Sequence, residues 1–262
     1  MRSGDASRRD AMRFEDQPPS YQHLQAIRNR EGPERALARN VSIDCGWGRV
    51  LMGHTFEHPA DIAKQLLLES PGKRDIAMYV ADPHVVLATT PQELFLDPSD
   101  SYRLDLEKPM LDNFDTGGVG VQRVATPEQA RRVNDLYLKR EMVPTDPEYI
   151  WSQKESEKLV WLIATDDATG EVIGTVMGID HVALFDDPSG GSSLWCLAVD
   201  PQATQPGIGE LLLRSLADYF LAKHCRYMDL SVLHDNEQAK SLYGKLGFRQ
   251  IHTFAIKNKN AY

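Results

Sequence analysis

The spacing of apolar and polar positions changes several times along the 262 residues, and each change marks an element. Residues 1–40 carry many arginines and acidic side chains, a Pro18-Pro19 break and few large apolar residues. They read as a polar tail with a short surface helix around Tyr21–Arg30. From Val41 the stretch "VSIDCGWGRVLMGHTF" alternates as strands interrupted by glycines do. "PADIAKQLLLE" has helical spacing and starts on Pro59, "DIAMYVAD" and "HVVLAT" read as strands, and "TPQELFL" as a short helix with a threonine cap. Together these predict a small α/β domain over 41–110, followed by a glycine-rich linker, "LDNFDTGGVG".

A more regular series fills 118–258. Val119–Val124 is a strand, and Thr126-Pro127-Glu128 opens a helix that runs to about Lys139. "EMVPTDPEYIW" is a proline-broken loop or short helix. "KLVWLIAT", "EVIGTVMGIDHV" and "SLWCLAVD" are strands, "GELLLRSLADYFLAK" is an amphipathic helix, and "YMDLSVL" is a strand. A helix over "NEQAKSLYGK" and one last strand, "RQIHTFAI", complete a mixed α/β order, β-α-loop-β-β-β-α-β-α-β. No internal repeat is visible, although the two α/β units are compatible with a distant relation.

Composition narrows the partners. With 29 basic against 38 acidic side chains the net charge is −9, which disfavours nucleic acid and anionic membranes, since both reward clustered Lys and Arg. Cys45, Cys196 and Cys225 are odd in number and form no CxxC pair, so neither a disulfide framework nor a zinc ribbon is expected. No apolar run has the length of a membrane span, and the polar N-terminus lacks a signal-peptide core, which points to a cytoplasmic setting.

Two short stretches carry candidate chemistry. In "AVDPQATQPGIGELLLRSL" the glycines Gly207 and Gly209 flank Ile208 between a strand and a helix. Backbone N–H groups at such a helix start can face an anion, and glycine lets a phosphate approach the main chain without meeting a Cβ. An ordinary tight turn looks the same in isolation. No Gly-Lys-Ser/Thr follows, and Leu212 stands where a dinucleotide fingerprint would have its third glycine. In "SVLHDNEQAKSLYGKLGFRQ", Asn236 and Tyr243 are seven residues apart and share a helical stripe with Ala239. Asp235 or Asn236 is the N-cap, Leu242 and Leu246 face a core, and Gly247 stops the helix with Phe248 packing back.

The two stretches together resemble the GCN5-related N-acetyltransferase (GNAT) superfamily: strand, V-D-P, a G-x-G loop opening a helix, strand, then N-x-x-A-x-x-L-Y-x-K-L-G-F. The resemblance covers roughly residues 119–257 and is most specific over 194–248. It implies the GNAT fold, acetyl-CoA as co-substrate, and transfer of the acetyl group to a primary amine of a small, amino-acid-like or dipeptide-like molecule by direct attack. Main-chain groups of Leu197, Ala198 and Val199 would then pair with the pantetheine arm. Gln205 and the loop amides of Gly207, Ile208, Gly209 and Glu210 would hold the pyrophosphate. Asn236 would bond the arm beside Ala239, and Tyr243 would donate to the departing sulfur as the catalytic residue. Two departures stand out. Thr204 occupies the place where the family often has Arg or Gln, and Pro206 removes one N–H. No carboxylate lies near Ser193–Leu194, so the base is unassigned, with His181, His234, Glu141 and Asp146 as candidates. An acyl-enzyme on Cys196 is a minor route, because a cysteine within an apolar strand is usually core. A CoA-binding module without turnover, and transfer of a longer acyl chain, are the alternatives.

The weaker signals are structural. His54 and His58 have a metal-compatible spacing but no third ligand, so no metal is expected, and Trp47 reads as a packed turn aromatic. The "FAIKNKNAY" end resembles the junction in fusions of a GNAT domain with an ATP-grasp ligase that make N-acetylglutaminylglutamine-type osmolytes. By that resemblance the acceptor would be glutamine-like, and a fused ligase domain or a second copy of the chain would be the macromolecular partner.

Overall fold

The computed structural model describes residues 19–32, 36–108, 114 and 117–259. The tail expected over 1–18, much of the linker and residues 260–262 lie outside the described residues. Helix α1 (Tyr21–Glu31) is capped by Ser20, whose hydroxyl accepts the His23 N–H at 3.2 Å. It is more than a surface helix: Tyr21, Leu24 and Arg28, at helical spacing, are buried.

A five-stranded sheet has the order β1-β2-β3-β12-β4. Its strands are β1 (Ser42–Asp44), β2 (Arg49–Met52), β3 (Ile76–Val80), β4 (Leu94–Leu96) and β12 (Phe254–Asn258). Helices α2 (Pro59–Leu66) and α3 (Pro83–Thr89) belong to the same part of the chain. Two expectations fail here. "HVVLAT" is helical because Pro83, following Asp82, sits at the first helical position, where its missing N–H costs nothing. "ELFL" is a strand because β12, far along the chain, pairs with it at Leu96↔Ile256 and Leu94↔Asn258.

The seven-stranded sheet has the order β11-β5-β10-β9-β8-β7-β6. It is built from β5 (Ser99–Asp105), β6 (Val119–Arg123), β7 (Leu159–Asp166), β8 (Val172–Asp180), β9 (Gly191–Val199), β10 (Tyr227–Leu233) and β11 (Arg249–Ile251). Its helices are α4 (Pro127–Lys139), α5 (Pro147–Ser152), α6 (His181–Phe185), α7 (Ile208–Ala222) and α8 (Glu237–Lys245). "RQIHTFAI", expected as one strand, is two, and they enter different sheets. "HV" at the end of "EVIGTVMGIDHV" opens α6, capped by Asp180.

The chain therefore exchanges strands between its sheets. β5, from the first half, lies between β10 and β11, and β12, from the end, lies between β3 and β4. Each sheet repeats one plan. An antiparallel hairpin (β1-β2, β8-β9) is followed by a parallel neighbour (β3, β10), then an antiparallel inserted strand from the other half, then an antiparallel edge strand (β4, β11). This topological repeat has no counterpart in sequence self-similarity.

Two glycines bring α7 close to the second sheet. A Cβ at Gly174 would lie 2.9 Å from Ile208, and one at Gly178 would lie 2.6 Å from Phe220. Against that surface α7 buries Ile208, Leu212, Leu213, Leu216, Ala217 and Phe220, worth about 2 kcal/mol for each large side chain removed from water. The start of α7 is thereby fixed beside the end of β9.

Candidate active site

β9 and β10 run parallel and pair only at Tyr227↔Gly191, Met228↔Ser192 and Asp229↔Ser193. Beyond those residues β9 stays with β8 and β10 stays with β5 as far as Leu233↔Ser99. The edges that Leu194–Val199 and Leu230–Leu233 turn toward each other have no ladder, so the sheet opens there into a cleft lined by main-chain donors and acceptors. A bulge in β9 marks the opening. Cys196 and Leu197 together face Val176 alone, and Cys196 has φ 50°. Leu197, Ala198 and Val199 all lie on this stretch, with Ala198 buried and the other two half-buried.

The loop that follows stands at the cleft's end. Asp200 organises it: one carboxylate oxygen accepts the Gln202 N–H at 2.9 Å and the other accepts Lys139 at 2.7 Å. Gly207 is the N-cap of α7 with φ 78°, a conformation glycine adopts freely. The first helical bond runs from Leu211 N–H to the Gly207 carbonyl, so Ile208, Gly209 and Glu210 direct amide groups out of the helix end. These groups fit a phosphate. The Gln205 side chain instead turns to Asp166, donating at 2.5 Å. Glu210 is buried and accepts from Arg214 at 2.9 and 3.0 Å and from Lys245 at 3.1 Å. Burial raises its pKa, but these hydrogen bonds outweigh it, and its carboxyl is held below the ordinary value. Phe114 also sits here, unforeseen from sequence: a Cβ at Gly207 would meet its ring at 2.5 Å.

On the helix that follows β10, Asn236 caps α8 by accepting the Ala239 N–H at 3.1 Å. That uses the Asn236 carbonyl oxygen and the Ala239 amide, and leaves the exposed Asn236 NH2 group for other partners. Tyr243, 7% exposed, packs against Phe248 at 5.5 Å and Tyr102 at 6.3 Å between ring centroids. Burial pushes its hydroxyl pKa up, so it stays a donor at neutral pH. The helix ends as a Schellman motif. Gly247 has φ 90° and donates to the Gly244 carbonyl at 3.1 Å, while the Phe248 N–H reaches the Tyr243 carbonyl at 2.9 Å.

The candidate bases separate. His181 is fully buried, 2.9 Å from the Ser193 hydroxyl, and desolvation lowers its pKa to about 3, which removes it as a base near neutrality. Asp146 is occupied in capping α5, accepting the Glu148 N–H at 2.9 Å. Glu141 and His234 are exposed, and His234 lies on the β10–α8 connection. Burial raises the Cys196 pKa to about 12, so its thiol stays protonated, which opposes an acyl-enzyme route. His54 is buried edge-on to Tyr79 at 4.5 Å, whereas His58 is exposed. Among the described residues no cluster of three metal-binding side chains occurs. Nor is any described helix long and apolar enough to cross a membrane. Trp47 packs against Trp195 at 5.6 Å, beside the bulge.

Comparisons agree with this geometry. Solved structures share the fold along nearly the whole chain. A GCN5-related N-acetyltransferase from Kribbella flavida is 15% identical with a TM-score of 0.56, over 92% of this chain and 96% of that one. One from Sphaerobacter thermophilus is 16% identical with a TM-score of 0.52, over 90% and 85%. A tandem GNAT protein from the clavulanic acid biosynthesis pathway is 14% identical with a TM-score of 0.54, over 92% and 94%. At these identities the likeness is one of fold. Residues 130–248 match the model of the acetyltransferase (GNAT) family. The strand cleft, the glycine loop and the Tyr243 helix all lie inside that matched span, so the likeness to the acetyltransferase (GNAT) family falls on the residues that build the site.

Proposed function

We propose that this protein is an acetyl-CoA-dependent N-acetyltransferase acting on a primary amine of a small, amino-acid-like or dipeptide-like molecule. The cleft between β9 and β10, with the outward amide groups of α7 following the end of β9, is the observation that carries this reading. Leu197–Val199 would hold the pantetheine arm, the Gly207–Glu210 amides the pyrophosphate, and the Asn236 side-chain amide the arm's polar groups. The amine nitrogen attacks the thioester carbonyl within a ternary complex. The C–N bond forms, the C–S bond breaks, and the nitrogen's proton passes to solvent or to His234.

Tyr243 acts by hydrogen bonding. A thiol has a pKa near 8.5 and an unperturbed tyrosine near 10, so complete proton transfer is uphill by about 2 kcal/mol. Burial widens that gap. A hydrogen bond that strengthens as charge grows on sulfur needs no such transfer. A module that binds CoA without turnover is the second reading, favoured by Pro206 and by the Phe114 ring lying on Gly207.

CoA release from acetyl-CoA and from longer acyl-CoAs, measured against a panel of amines that includes glutamine and glutaminylglutamine, tests both. Amine-dependent release that falls at least about tenfold in Tyr243→Phe supports the transferase. Binding of acetyl-CoA with no release for any amine supports the module.

A further inference from the structure

The loop would present a phosphate with an awkward neighbour. Glu210 lies in the first turn of α7, its side chain 7% exposed, where the helix amides face outward. A lone anion there would repel a phosphate. Instead it is doubly neutralised. Arg214, one turn further along α7, binds one oxygen through Nε and Nη2 at 3.0 and 2.9 Å. Lys245, two residues past Tyr243 on α8, binds the other oxygen at 3.1 Å.

Phe114 places these cations beside the loop. Its ring lies on Gly207, with the Arg214 guanidinium 5.4 Å and the Lys245 ammonium 6.0 Å from its centroid. The cations differ in freedom. The Arg214 side chain is 13% exposed and holds Glu210 through two bonds, whereas that of Lys245 is 66% exposed and holds it through one. A flexible ammonium can change partner while the planar guanidinium keeps the buried carboxylate compensated.

We propose that Lys245 is a phosphate-binding residue for the acyl-CoA donor, held on Glu210 in the free protein and transferred to a donor phosphate on binding, while Arg214 stays on Glu210. The proposal rests on the donor reading above and adds to it the side chains that answer the phosphate charge. Glu210 is then the competing anion.

The experiment is calorimetric titration of acetyl-CoA into the full chain, at about 0.05 M and about 0.5 M salt, for wild type, Lys245→Met and Glu210→Gln. Lys245→Met, which alters an exposed side chain, should weaken binding about tenfold at low salt and far less at high salt. Glu210→Gln should tighten binding about threefold at low salt, because it removes the competing charge. Repetition with 3′-dephospho-CoA distinguishes the phosphates: a Lys245 effect that disappears assigns it to the 3′-phosphate, and one that persists assigns it to the pyrophosphate. Wild-type binding left unchanged by Lys245→Met, or weakened equally at both salt concentrations, overturns the exchange and leaves the donor reading intact. A wild-type chain that does not bind acetyl-CoA overturns the donor reading and the exchange with it.

Discussion

His181 shows how a single buried side chain links the fold to pH. Its ring touches Ser193 at 2.9 Å and is sealed from water, so it stays neutral down to about pH 3 in the folded protein. In the unfolded chain a histidine takes up a proton near pH 6.5. The folded pKa is thus the lower one. The stability this histidine contributes is intact above about pH 6.5 and is lost as the pH falls toward 3. Between about pH 6.5 and 5 the loss from His181 alone is about 2 kcal/mol. His54, also buried and shifted down by desolvation first and by the neighbouring His181 second, acts in the same direction. Melting temperatures recorded from pH 7 to 5 should fall, and His181→Gln should flatten that slope. A slope unchanged by the substitution would assign the acid sensitivity to other groups.

At the scale of an element, α8 carries two glycines with opposite requirements. Gly244 is inside the helix, and a Cβ there would have no atom within 4 Å. Gly244→Ala should therefore stabilise the protein by about 0.5–1 kcal/mol, through helix propensity and a less flexible unfolded chain. Gly247 has φ 90° at the Schellman turn. Alanine is strained there, and Gly247→Ala should cost about 1 kcal/mol while disturbing the seat of Tyr243. Urea unfolding of the two variants measures both signs. Equal effects would mean that the turn does not hold Gly247 in its left-handed conformation.

For the whole molecule, the decisive contact joins three separated segments. Asp229 on β10 accepts from Arg103 on the exchanged strand β5 at 2.8 Å through each oxygen, and from the Tyr79 hydroxyl on β3, also at 2.8 Å. One carboxylate thus bonds both sheets. Arg103 also lies 3.7 Å from the centroid of the Tyr227 ring, and although desolvation opposes its charge, Asp229 keeps it protonated. Asp229→Asn leaves a buried guanidinium without its counter-charge and should cost about 3–5 kcal/mol, a large part of a typical domain's stability. Because each sheet holds a strand from the other half, urea should unfold both together. Separate transitions for the two sheets would contradict this coupling.

Sequence by itself determined the elements whose signals are local. Thr126-Pro127, Pro59, the stripe of α7 and the Asn236–Gly247 frame of α8 each state a cap, a period or a stop within a dozen residues, and the structure contains them. That the glycine loop and Tyr243 belong to one site came only from the family resemblance, since no local pattern relates one to the other. Tertiary structure alone decided where strands went. "ELFL" and "RQIHTFAI" take their form from partners in the other half of the chain, and no local period records a partner's identity. It also decided the site's charge. In sequence Glu210 counts only for its loop amide and Arg214 and Lys245 have no assigned role, and only the approach of α8 to α7 makes the three side chains one cluster. The cleft itself is a property of two strands parting, which follows from each being held more firmly by its other neighbour.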